Sequence, residues 1–224
     1  MIFGQRTPQA ESSTLLSERR EYIHMKEFWN ERYAIDSYVY GTYPNAFFKA
    51  QIDQLTPGKV LLPGEGEGRN AVYAASEGWD VFAFDSSIEA RKKALRLATE
   101  YDAEFNYAVY DLNEYPFPEN MFDAVGLVYF HLPASLRIRL HHSVAKSLKP
   151  GGKVILEAFH PEQLHYKTGG PGNPDMLYTS EMLREDFRDL SIQLMDEIEW
   201  ELNEGMHHRG KAFITRFVAI KTVR

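Results

Sequence analysis

Two rhythms of apolar and polar positions follow one another along this chain. Short apolar runs alternate with longer stretches in which apolar side chains recur every three or four residues. The runs at 59–63, 80–85, 104–110, 124–129 and 154–159 read as five strands, and the fourth is apolar throughout, as a strand buried on both faces must be. Between them, residues 70–77, 88–101 and 134–148 read as helices, the last with Leu136, Leu140, Val144 and Leu148 four apart. Ser86 and Ser87 supply an N-cap for the second of these, and Lys149-Pro-Gly-Gly152 ends the third. Upstream, residues 26–33 place Phe28, Trp29, Arg32 and Tyr33 on one helical face, and residues 46–55 form a short amphipathic helix. Downstream, a polar connection at 160–178 contains Thr168-Gly-Gly-Pro-Gly-Asn-Pro174 and is expected to be a flap beside a cleft. Thr179 caps a helix at 180–190, and segments 191–203 and 211–222 pair as antiparallel strands around a tip at 204–210. Alternating strands and helices predict an α/β fold, a doubly wound and mostly parallel sheet with helices on both faces.

Composition narrows this picture. With 224 residues and 44% hydrophobic content the chain can bury one core, so a single domain at 25–224 is expected, preceded by an N-terminal extension at 1–24. No apolar run approaches the ~20 residues of a membrane span, and residues 1–24 lack the apolar centre of a secretory signal. The absence of cysteine rules out disulfides, thiolate metal sites and a cysteine nucleophile, and fits a cytoplasmic protein. A formal charge of -7 argues against a long nucleic-acid footprint. The expected partner is a small molecule, with no nucleic acid and no membrane, for a monomer or homodimer. No His and acid spacing proposes a metal site.

The chemistry gathers where the first strand meets its helix. Pro63-Gly-Glu-Gly-Glu-Gly-Arg-Asn70 places Gly64, Gly66 and Gly68 at alternate positions, so the backbone can take positive φ and approach a ligand at a helix N-terminus. Asp85 ends the second strand, where a dinucleotide-type fold receives two ribose hydroxyls. A nicotinamide fingerprint wants its last glycine where Arg69 stands. The G-x-G-x-G spacing instead resembles the first motif of the class I, Rossmann-like S-adenosylmethionine-dependent methyltransferases. Further along, Phe122-Asp-Ala-Val125, the Lys149-Pro-Gly-Gly152 turn and the antiparallel finish resemble the same family. Trp29-x-x-x-Tyr33 and Tyr40-Gly-Thr-Tyr-Pro-Asn45 resemble the N-terminal cap of its tellurite-resistance and thiopurine methyltransferase group.

The resemblance implies strand order 3-2-1-4-5-7-6 and S-adenosylmethionine as cofactor. It places Gly64, Glu65, Gly66, Gly68 and Asn70 around the methionine end, Asp85 and Ser86 at the ribose, and Asp111 with the Leu112 N–H at the adenine. Trp29, Tyr40, Tyr43 and Tyr129 would close over the molecule. Leu62-Pro63 departs from the pattern, since many relatives carry an acid at the position of Leu62. Two arrangements follow for the acids inside the turn: Glu65 meets the cofactor's ammonium while Arg69 balances Glu67, or Glu67 faces solvent. Methyl transfer needs alignment and, for a protonated acceptor, a proton acceptor. His131, directly after the fourth strand, and His208 with Arg209 at the hairpin tip are the catalytic candidates. The expected acceptor is a small thiol, chalcogen oxyanion, carboxylate or hydroxyl. The competing readings are a nicotinamide-dependent oxidoreductase and a non-catalytic S-adenosylmethionine-binding protein.

Overall fold

Seven strands form one sheet in the order β3-β2-β1-β4-β5-β7-β6 in the computed structural model, which describes residues 25–222. The strands are β1 (Lys59–Pro63), β2 (Asp80–Asp85), β3 (Asn106–Val109), β4 (Phe122–Val128), β5 (Leu148–Phe159), β6 (Ser191–Glu204) and β7 (His208–Ile220). The first five pair in parallel, and β7 runs against both β5 and β6. Helices α1 (25–33), α2 (Ala46–Ile52), α3 (Arg69–Ser76), α4 (Ile88–Glu100), α5 (Ala134–Ser147) and α6 (Ser180–Asp186) complete the described chain. The extension expected at 1–24 lies outside the described residues. None of the helices described is long and apolar enough to cross a membrane.

Period-2 alternation sorts the strand side chains onto two cores. On one face Val60, Leu62, Val81 and Ile155 pack against Phe48 and Ile52 of α2 and Ala71 and Ala74 of α3. On the other, Leu61, Val125, Leu127 and Leu156 meet Leu136, Leu140 and Val144 of α5 and Leu183 of α6. The strand order reverses between β1 and β4, so their carboxyl ends open a crevice where such sheets bind ligands.

Local differences from the sequence reading have physical reasons. Lys149-Pro-Gly-Gly152 does not cap α5 but starts β5 through a bulge, with Leu148 already paired to Phe122. Gly151, at φ 84°, donates its N–H to Lys221 O, so the sheet continues where a turn was expected. Helix α6 stops at Asp186, because residues after it close into a turn with Leu190 N–H on Phe187 O. Strands β6 and β7 extend to Glu204 and His208, leaving a tip of only three residues.

Candidate active site

A cavity of about 730 Å³ fills the crevice, within the range of small-molecule sites. Its floor is the turn after β1. Pro63 cannot donate, and the N–H of Glu65, two residues on, bonds to Phe84 O. Gly64 and Gly66 both have φ near 64°, and a Cβ on Gly66 would meet the Tyr33 hydroxyl at 2.8 Å. Asp85, at the end of β2, accepts from Gly66 N–H at 3.1 Å and from Ser87 N–H at 2.9 Å. Burial raises its carboxyl to about 6 against the pull of those amides.

The charged residues of the turn act on the protein itself. Glu65 folds back over the start of α3 and accepts from the N–H groups of Asn70 and Ala71, both at 2.8 Å, taking up amides that the helix leaves open. Burial nevertheless lifts its carboxyl to about 7. Glu67 neither faces solvent nor pairs with Arg69, contrary to both arrangements expected for it. It is 4% exposed, bonds the Lys93 ammonium at 2.6 Å and accepts from the N–H groups of Val39 and Tyr40. Arg69 reaches instead to Tyr40 O and to Glu204 at 2.7 Å. The turn therefore clamps residues 39–40, and the pairing of Arg69 with Glu67 expected from sequence is replaced by partners that lie on other elements.

Glu204 extends this clamp into a buried network. The Asn45 amide donates to Glu204 Oε1 at 2.9 Å and to Glu157 Oε1 at 2.6 Å, and its own N–H goes to Asn70 Oδ1. Glu157 also accepts from the Tyr129 hydroxyl at 2.8 Å and from Arg216 Nε at 2.6 Å. Met206 N–H on Val39 O then fastens the hairpin tip to the cap. Burial alone would raise the Glu204 carboxyl, but the Arg69 guanidinium beside it outweighs that and holds it at about 2.

Of the residues singled out from sequence, Trp29, Tyr40, Gly64, Glu65, Gly66, Asn70, Asp85, Ser86, Leu112, Tyr129, His131, His208 and Arg209 line the cavity. Three lie outside its wall. Tyr43 is 81% exposed. Gly68 caps α3 at φ 89° and packs on α4, where a Cβ would meet that of Ala94 at 2.6 Å. The Asp111 carboxylate accepts from Asn113 N–H, the side-chain turn that competes with a ligand role. Residues 167–171 of the flap join the wall, as do Tyr33 and Phe130. Glu157 escaped the sequence reading although a signal existed: an acid inside the apolar run Val154-Ile-Leu-Glu-Ala-Phe159 must be paired.

The two histidine candidates differ in chemistry. His131 is committed at both nitrogens: Nδ1 donates to Met176 O at 2.7 Å while Nε2 accepts from Phe159 N–H at 3.2 Å. Burial lowers its pKa to about 4, so it is a neutral strut between the β4 loop and the flap with both nitrogens engaged. His208, expected at a solvated tip, is 6% exposed between the rings of Tyr40 and Tyr129. Tyr129 takes φ 50°, unusual for an aromatic residue, and its N–H bonds to Glu157 O at 2.8 Å. That conformation turns its ring onto Phe159 and His208.

The groups present suit the cofactor that the sequence resemblance implies. Asp85 offers an acceptor carboxylate beside backbone without side chains, and Tyr110 and Leu112 line the same cavity. Among the described residues no cluster of three or more metal-ligating side chains occurs.

Residues 60–152 match the family described as "Methyltransferase domain". Phosphoethanolamine N-methyltransferase 2 of Caenorhabditis elegans is 35% identical over 108 residues, 46% of this chain. The chain spans only 24% of that relative. Among solved structures, the protein studied in "Conversion of a Disulfide Bond into a Thioacetal Group during Echinomycin Biosynthesis" superimposes with a TM-score of 0.70 at 18% identity, over 89% of this chain and 93% of that one. TehB from Haemophilus influenzae gives 0.66 at 18% identity, over 88% and 67%. N-methyltransferase NodS from Bradyrhizobium japonicum gives 0.62 at 10% identity, over 79% and 93%. At these identities the structures establish the fold.

Proposed function

We propose that this chain is a class I S-adenosylmethionine-dependent methyltransferase that methylates a small molecule held under the cap. The observation that carries this reading is the pairing of Asp85 with the glycine turn: one carboxylate bonded to Gly66 N–H at the cavity floor, with lone pairs left for two sugar hydroxyls. When bound, the cofactor supplies a methyl group already activated by its sulfonium.

The protein's own residues then have four tasks. Asp85 and Ser86 would hold the ribose, and the Leu112 N–H with Tyr110 would border the adenine. Glu65, beside Gly64 and Gly66, faces the methionine ammonium. Trp29, Tyr33 and Tyr40 cover the site from the cap and keep water from it. Tyr129, His208 and Arg209 lie on the wall formed by β4 and the hairpin and face the acceptor, a thiol, chalcogen oxyanion, carboxylate or hydroxyl. Alignment of that acceptor is the larger contribution, since a sulfonium needs no protein nucleophile.

Calorimetric titration with S-adenosylhomocysteine and with NADH tests the reading. Binding of the first and not the second, lost in a folded Asp85→Ala variant, is expected; the reverse preference would remove the proposal. Methyl release from labelled cofactor across thiols, selenite, tellurite and small acids then separates an enzyme from a binding protein.

A further inference from the structure

His208 has a divided environment. Its Nδ1 is buried, has no hydrogen-bond partner among the described residues and lies 3.8 Å from Glu204 Oε2. The opposite edge of the ring faces the flap: a Cβ placed on Gly169 would meet Cδ2 at 2.9 Å and Nε2 at 3.5 Å. Gly169 holds φ 123° there, so the flap comes this close only without a side chain. The imidazole thus has one nitrogen on the side of a carboxylate and the other on the side of the flap, which lines the cavity.

Resting on the proposed function, we infer that Glu204 is a positioning residue that holds His208 as the Nδ1–H tautomer, leaving Nε2 to take a proton from an acceptor that carries one. The acceptor class is then X–H, a thiol or hydroxyl, and not an oxyanion without a proton to lose. In the transfer the X–H bond breaks and its proton goes to Nε2, while the electron pair kept by X forms the bond to the methyl carbon. The carbon–sulfur pair stays on sulfur as a neutral thioether, and the imidazolium returns its proton to water. Glu204 suits this task because Arg69 keeps it ionised and Asn45 fixes its other oxygen. A carboxylate that closes to hydrogen-bond distance of an imidazole sets the tautomer and stabilises the imidazolium that forms.

The groups facing His208 are Glu204 on β6, Arg69 on α3, His207 beside it, Tyr40 of the cap, Tyr129 after β4 and His131 on the same wall. Burial depresses its pKa, with Arg69 and His207 acting in the same direction and Glu204 opposing them. At neutral pH the ring is uncharged and ready to accept.

Nitrogen-15 NMR of the full chain saturated with S-adenosylhomocysteine reads the tautomer directly, with His208→Gln assigning the resonances. An Nδ1–H, Nε2-unprotonated ring is expected, with a pKa that falls by ~1 pH unit in Glu204→Gln through loss of the facing charge. An Nε2–H ring in the wild type overturns the inference whether or not the variant folds, and so does an unchanged pKa in a folded variant. Heat of S-adenosylhomocysteine binding on the same sample tests the cofactor assignment separately: no binding removes the proposed function, whereas binding with the wrong tautomer removes only the role of Glu204. With a small thiol as acceptor, the losses in kcat from Glu204→Gln and His208→Gln should not add in the double variant. Additive losses would assign Glu204 a purely structural role.

Discussion

Arg69 and Glu204 stand 135 positions apart in sequence and 2.7 Å apart in space. One closes the glycine turn and the other ends β6, so their contact joins the cavity floor to the hairpin that forms part of its wall. Both side chains are largely shielded from water, at 8% and 13% exposure. Removing one partner strands the other's charge. Arg69→Met is therefore expected to destabilise the protein by about 3–5 kcal/mol, read as a fall in the urea midpoint with an unchanged slope. A change below about 1 kcal/mol would show a pair already hydrated, as exposed pairs are.

Glu67 holds the cap from beneath, through Val39 and Tyr40 N–H, while Lys93 Nζ bonds both Glu67 and Ser37 O. Glu67→Gln keeps the size but loses the ion pair. Hydrogen exchange at residues 34–41 is expected to quicken by more than tenfold, with β1, β4 and β5 unaffected. Equal acceleration throughout would mean that the turn supports the whole fold and not the cap.

The carboxyls of Glu65 and Asp85 are raised by burial to about 7 and about 6. A group whose folded pKa lies above its unfolded value contributes stability that is full below the unfolded value, near 4, and is lost as pH rises through the folded one. The ligand-free protein should therefore lose this contribution between pH 4 and 8. Binding of S-adenosylhomocysteine, whose ammonium and ribose favour ionised acceptors, should strengthen at least about tenfold from pH 5 to 8. Affinity flat across that interval would show that neither carboxyl meets the ligand.

His131 makes both of its hydrogen bonds within the protein and is held neutral by burial, its pKa lowered to about 4. His131→Asn should cost about 1–3 kcal/mol of stability and leave the shape of the pH–rate profile between 6 and 8 intact. Loss of the acidic limb in that variant would return His131 to the candidate proton acceptors.

How much of this could be read from the chain depends on the range of each interaction. Strand runs, helix periods and the glycine turn are local, and the sheet order followed from the family resemblance that those elements carry. Asp85 and Gly66 were legible for the same reason, because strand ends and tight turns fix where a side chain points. The partners of Glu67, Arg69 and Glu204 were not, since each charge is neutralised by a residue brought near only by the fold. Asp111 is ambiguous for a related reason: an acid at a strand end reads equally as ligand and as turn cap, and here one of its oxygens accepts from Asn113 N–H. His208 also reads as a solvated tip until the tip is seen bonded to Val39 and packed against Gly169 of the flap.

The glycine turn thus has two faces, with backbone, Glu65 and Asp85 toward the cavity and Glu67 and Arg69 toward the cap and hairpin. A crystal structure of the S-adenosylhomocysteine complex measures this most directly. The ribose hydroxyls should lie on the Asp85 carboxylate while Glu67 remains on Val39 and Tyr40 and Arg69 remains on Glu204. A ligand elsewhere in the cavity, or Glu67 and Arg69 swung onto the ligand, would contradict the account.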